Sequence, residues 1–243
     1  MALDIMLKKY WKIAAVVLCL LLIKEGRRPL YKYIWGTYSG VYPAVGSETF
    51  MPFGGSQLWM SADLSGYRIR YLLRRKYSVR GRVVYVDWND GFWNTWYHSA
   101  ANDGVKLYNA VAAVDVSIVH GATAEDGNWQ KIKFDHEERG LMWTYQYKDN
   151  PVVNNDEINN NHVIPATTAV RRAIAIMKTG EVVEMEGYLM DWKGTGKFGW
   201  FSIETATEPG ELHSKQLYGG VPGAGFCRQF YVTKVCFDGY CFE

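Results

Sequence analysis

The chain has 243 residues, enough for one large domain or two small ones with a true hydrophobic core. It carries 10 Trp, 17 Tyr, 10 Phe and 24 Gly, which excludes a disordered or collagen-like chain and leans towards strands and turns. The net charge of +2 hides an asymmetry: residues 1–35 hold seven Lys/Arg, Arg68 to Arg82 hold seven more with no acid, and the remainder has thirteen basic against twenty-three acidic residues.

Ile13 to Ile23 is an unbroken apolar run with Lys8, Lys9 and Lys12 before it and Lys24, Arg27 and Arg28 after it. As a helix the run spans about 16 Å, short of the ~30 Å hydrocarbon core. Tyr10 and Trp11 suit the interface, Lys12 and Lys24 can snorkel, and Ile5 to Leu7 extend the helix far enough to cross. No small-x-small cleavage site follows Ile23. The expectation is therefore an uncleaved signal anchor, with a cleaved signal peptide or a buried helix as alternatives. Basic residues at both ends leave the positive-inside rule silent. The short N-terminal tail favours a C-terminal domain outside the cytoplasm.

Residues 36–66 are rich in Gly, Ser and Pro and read as an irregular connector. Tyr67–Tyr71 and Ser78–Trp88 read as strands, Asn89-Asp90-Gly91 as a turn, and Phe92–Tyr97 as the returning strand. Val105–Val119 is apolar and reads as a helix, against the strand preference of its β-branched residues. Lys131–Phe134 and Leu141–Tyr147 are strand candidates around a charged turn. Pro165–Met177 is the clearest helix, stopped by Gly180. Glu181–Trp192 alternates, and Phe198–Thr205 and Phe226–Cys236 complete the strands. Asp238-Gly239 suits a two-residue hairpin loop, which sets Phe237 opposite Tyr240 and Cys236 opposite Cys241, within disulfide range. A Cys236–Cys241 disulfide would suit an oxidising compartment and leave Cys227 as the odd cysteine; reduced thiols are the alternative.

The expected fold is mainly β with one or two helices (α+β), forming a small antiparallel, OB-like barrel after an N-terminal transmembrane helix. The expected divisions are an anchor over residues 1–30, a connector over 31–66 and a β-rich extracytoplasmic domain over 67–243.

Asn160-Asn161-His162-Val163-Ile164-Pro165-Ala166 resembles the Asn-x-His-x-Ile-Pro-Ala signature of a family of uncharacterised bacterial envelope proteins. The helix that follows, Gly180 to Leu189 and, more loosely, Gly223 to Cys227 are similar to the same family. The likeness covers roughly residues 78–236 and is specific over 160–189. Relatives carry Ser shortly before the Asn, where Ile158 and Asn159 stand here, and an Arg/Asp stretch before the Cys, where Glu204 to Leu217 stands. The resemblance implies a small, N-terminally anchored or exported envelope protein and brings no established activity.

Asn160 and His162 are the candidate catalytic residues. His serves as base or ligand, and Asn as orienter or oxyanion donor. No convincing nucleophile adjoins them in sequence, and a structural role capping the next helix competes. The binding candidates are an aromatic hairpin tip with Trp88, Trp93 and Trp96, and the basic face of Arg68, Arg70, Arg74 and Arg75. Core packing and a solvated strand face compete with these readings. The five His form no i, i+4 pair, and no metal, nucleotide or phosphate-loop motif is complete. No cofactor is expected. The leading expectation leans away from an enzyme, towards a single-pass protein of the bacterial inner membrane. Its periplasmic domain would act as an accessory or assembly factor by contacting a protein partner; nucleic acid is disfavoured as a partner. The alternatives are a hydrolase centred on Asn160 and His162, and a glycan- or polyanion-binding barrel.

Overall fold

The computed structural model describes residues 15, 17, 26–40, 42–52, 59–64, 67–89, 108–109, 111–137, 140–145, 151–196, 199–203, 205 and 226–243. Residues 26–35 form helix α1. The strands are β1 (Thr37–Tyr38), β2 (Glu48–Pro52), β3 (Trp59–Leu64), β4 (Tyr67–Trp88), β5 (Val114–Val119), β6 (Ile132–Glu137), β7 (Gly140–Tyr145) and β8 (Ile158–Pro165). Helix α2 (Thr168–Ile174) follows, then β9 (Val182–Gly196), β10 (Gly199–Ile203), β11 (Phe226–Phe237) and β12 (Tyr240–Phe242). The described residues are mainly β, with α1 and α2 as helices.

Five strands close on themselves. β4 pairs with β5, β5 with β8, β8 with β11, β11 with β9, and β9 returns to β4. Four of these pairings are antiparallel, and β8 with β11 is parallel. A ring with an odd number of strands cannot alternate direction throughout, so the wholly antiparallel expectation fails at one seam. α2 lies between β8 and β9 in the chain and packs Val170, Ala173 and Ile174 into the ring's core. Thr167 caps it, its hydroxyl accepting from the Val170 N–H at 3.1 Å. The core is built from inward residues such as Val79, Val116, Val163, Met185, Leu189 and Phe230.

Several expectations change. Residues 37–64, read as irregular, carry three short strands; β2 and β3 pair with β4, and β1 pairs with β12. The two strands read over 67–71 and 78–88 are one strand, β4, whose register shifts between Leu73 and Arg75 and again between Val83 and Tyr85. Val114–Val119 is a strand, because its β-branched residues prefer the pleat over helix crowding. Phe92–Tyr97 lies outside the described residues.

The C-terminal hairpin follows expectation: Phe237 faces Tyr240, and Cys236 is disulfide-bonded to Cys241. Asp238 and Gly239 both take positive φ, as a two-residue turn of this kind requires. The apolar run 13–23 lies outside the described residues except for Ala15 and Val17, which are helical. Among the described residues no helix is long and apolar enough to cross a membrane.

Candidate functional site

β5 reads Val-Asp-Val-Ser-Ile-Val. Val114, Val116 and Ile118 point into the ring, which sends Asp115 and Ser117 to its outer face. β8 reads Ile-Asn-Asn-Asn-His-Val-Ile-Pro. With Val163 in the core, the period of two sends Asn160 and His162 outward. The register sets Asp115 opposite His162 and Ser117 opposite Asn160. On the other side of β8, β11 sets Cys227 beside Asn160 and Gln229 beside His162. Three adjacent strands thus gather a carboxylate, an imidazole, an amide and a thiol on one patch.

The contacts are specific. His162 Nδ1 lies 2.6 Å from Asp115 Oδ1, and both residues are buried. Asp115 Oδ2 accepts from Asn89 Nδ2 at 3.0 Å, so the carboxylate is held at both oxygens. With Nδ1 taken by Asp115, Nε2 is the ring nitrogen left free to serve the thiol, and Cys227 lies near enough to act on the imidazole's charge. Burial pushes the imidazolium pKa down. The Asp115 and Cys227 charges, with their hydrogen bonds, outweigh burial and raise it from 6.5 to about 9. His162 therefore carries its proton at neutral pH. Cys227 is a free thiol and only partly buried, so it is the accessible end of the line.

Asn160 is oriented by its neighbours. Its Oδ1 accepts from Ser117 Oγ at 3.0 Å and faces His136 Nε2 at 3.2 Å. That turns Nδ2 towards the Cys227 sulfur, at 3.9 Å. His136 reaches in from the β6–β7 hairpin, stacks on Tyr85 at 5.0 Å between centroids, and lies 3.7 Å from Asp87 and 3.9 Å from Asp115. On the other flank the Tyr108 ring meets His162 edge-on and stacks on Trp192. Gln229 ties that wall together, accepting from Trp192 Nε1 and donating to the Tyr108 hydroxyl, each at 3.2 Å.

The two catalytic candidates read from the sequence, Asn160 and His162, are side by side in this cluster. Asp115, Cys227, Ser117 and His136 were not singled out. The signal for Asp115 and Ser117 was two polar residues spaced by two inside a Val/Ile run, which marks a strand with one polar face. The signal for Cys227 was its status as the cysteine left over from the hairpin disulfide.

The binding candidates among the described residues lie elsewhere. Trp88 packs against the core with the Arg171 guanidinium 4.7 Å above its ring, while Trp93 and Trp96 lie outside the described residues. Arg68 and Arg70 are exposed on β4, Arg74 pairs with Asp191 at 3.3 Å, and Arg75 stands opposite Leu189. Among the described residues no three His, Cys, Asp or Glu side chains are arranged to hold a metal ion.

No protein-family model matches this chain, and no curated protein or solved structure matches it. The roles of these residues rest on their geometry.

Proposed function

We propose that this chain is a membrane-tethered thiol enzyme that transfers or hydrolyses acyl groups. Cys227 is the nucleophile, His162 the proton carrier and Asp115 the carboxylate that orients it. The observation that carries the reading is the Asp115–His162 contact with Cys227 beside it on the adjacent strand, the thiol being the accessible member. A thiol beside an imidazole that is itself held by a carboxylate is the triad arrangement of acyl-transfer enzymes.

The reaction requires the thiolate–imidazolium form of the pair. The Cys227 thiolate attacks the acyl carbon of an ester, thioester or amide. The S–C bond forms, the bond to the leaving group breaks, and the leaving group takes the proton from His162 Nε2. The neutral imidazole then takes a proton from water as its oxygen attacks the thioester. The C–S bond breaks, sulfur leaves as thiolate and the imidazolium is restored. The Asn160 amide, turned towards the sulfur, is the side-chain donor we assign to the developing oxyanion.

The strand order β4–β5–β8–β11–β9, with a helix between the third and fourth strands in chain order, supports reading the ring as an OB-like Greek-key barrel. On such barrels the face of the second and third strands is the usual binding surface; here those strands are β5 and β8. The apolar run 13–23 supports a single-pass tether, and the disulfide supports a domain on the periplasmic side of a bacterial inner membrane. The expectation of an accessory protein rests on the anchor, the aromatic hairpin and the lack of a catalytic set in the sequence; the cluster speaks against the last of these three.

The test is acylation by p-nitrophenyl acetate on the full chain in detergent, in a Cys19→Ala background. The expected result is a burst of p-nitrophenolate with the acetyl group on the peptide carrying Cys227. Cys227→Ser abolishes the burst, and His162→Ala slows it by about 10²-fold or more. An undiminished burst in Cys227→Ser overturns the proposal.

A further inference from the structure

Helix α1 is inside out for a helix that faces water. Arg28, Tyr31 and Lys32, at spacings of three and four, turn towards the domain. Arg28 pairs with Glu181, Lys32 pairs with Asp238, and both cations lie over the Phe237 ring, at 5.5 and 5.8 Å. The Arg172 guanidinium donates to the Tyr31 hydroxyl at 3.1 Å. The opposite face carries Leu30, Tyr33 and Ile34, again at spacings of three and four, and Tyr33 is 87% exposed. Ordinary amphipathicity puts the apolar stripe on the protein and the charges in water; here the arrangement is reversed. Six of the nine large apolar side chains exposed among the described residues fall between residues 30 and 42. Trp35, Tyr38 and Tyr42 complete that group.

We infer that this outward face lies in the interfacial layer of a lipid bilayer. Tyr and Trp concentrate at that depth, with an apolar body and a polar tip. Position agrees with composition. The apolar run ends at Ile23, and Leu30 follows seven residues later. Seven residues at a helical rise of 1.5 Å cover about 10 Å, which keeps Leu30 close to the headgroup layer bordering the hydrocarbon core. Because Arg28 and Lys32 are anchored on the domain, α1 is a bracket that fixes how the whole domain stands on the membrane. The inference rests on the reading of residues 13–23 as a tether and is independent of the chemistry at Cys227.

The test is spin-label accessibility in the full chain, reconstituted in phosphatidylethanolamine–phosphatidylglycerol vesicles with Cys19 and Cys227 replaced by Ala. Nitroxides are placed at Tyr33→Cys, at Tyr38→Cys and, as a control, at Val152→Cys, which is exposed on the segment bonded to Asn128. The expected result is oxygen accessibility several-fold higher, and nickel-chelate accessibility several-fold lower, at 33 and 38 than at 152. Equal nickel accessibility at all three sites overturns the inference and leaves the tether standing. Dipolar broadening at 33 that disappears on dilution with unlabelled chain also overturns it, by showing a second copy on this face. Failure of the chain to enter vesicles overturns the tether itself, and the inference with it.

Discussion

His162 is held in its charged form by two neighbours against the pull of burial, and that makes it a stability element as well as a chemical one. Its folded-state pKa, about 9, lies above the ordinary 6.5. The native state therefore binds the proton more tightly than the unfolded chain. The stabilisation is complete below pH about 6.5 and is lost as pH rises through about 9. Urea midpoints should fall across that window in the wild type, and the fall should flatten in Asp115→Asn. A wild-type midpoint that stays level or climbs between those limits would refute the ion-pair account. Asp115→Ala should be the costlier change, by about 3–5 kcal/mol, because it leaves a buried imidazolium without its counter-charge. Asn160 and His162 were legible as candidates because both are polar groups in an otherwise strand-like segment. Their partners were not, since Asp115 and Cys227 stand 47 and 65 residues from His162 and only strand pairing joins them.

Individual elements divide along the same line. The C-terminal hairpin was legible down to its cysteine pair because a two-residue loop fixes the register within a few residues. β4 was not, because each bulge inserts a residue and flips the phase of alternation, so one strand reads as two. β9 shows what such irregular pairing demands. Gly187 stands opposite Val232, where β11 shifts register, and a Cβ there would lie 2.0 Å from the Tyr231 carbonyl oxygen. Gly187→Ala should cost about 1–3 kcal/mol by overpacking this seam, seen as a lower urea midpoint. The hairpin itself can be loosened by Cys236→Ser with Cys241→Ser, which should cost about 2 kcal/mol given the short loop the bond closes. That loss should also release α1, because Lys32 and Arg28 both reach Asp238 at the hairpin's turn. Faster backbone amide exchange over residues 26–35 in the double variant would register the release, and unchanged exchange would separate the helix from the hairpin.

The whole molecule keeps two kinds of polar group on opposite sides of one wall. Outside the ring, Asn160 is bonded to Ser117, His136 and the Cys227 sulfur. Inside it, the next residue along β8 is different: Asn159 is fully buried, and neither of its amide atoms has a hydrogen-bond partner among the described residues. Its strand neighbour on β5 is Ile118, a core residue. Which of the three consecutive asparagines faces inward is not written in the sequence, because it depends on where the ring closes. The two sides should answer the same substitution with opposite signs. A buried amide left without partners costs about 1–3 kcal/mol, so Asn159→Leu, branched at the same atom and apolar, should raise stability by about 1 kcal/mol or more. Asn160→Leu strands the Ser117 and His136 donors and should lower stability by a comparable amount while slowing acylation of Cys227. Paired urea titrations of the two variants measure the difference. Equal losses in both would mean that the ring's interior satisfies Asn159 after all and that the wall does not separate two environments.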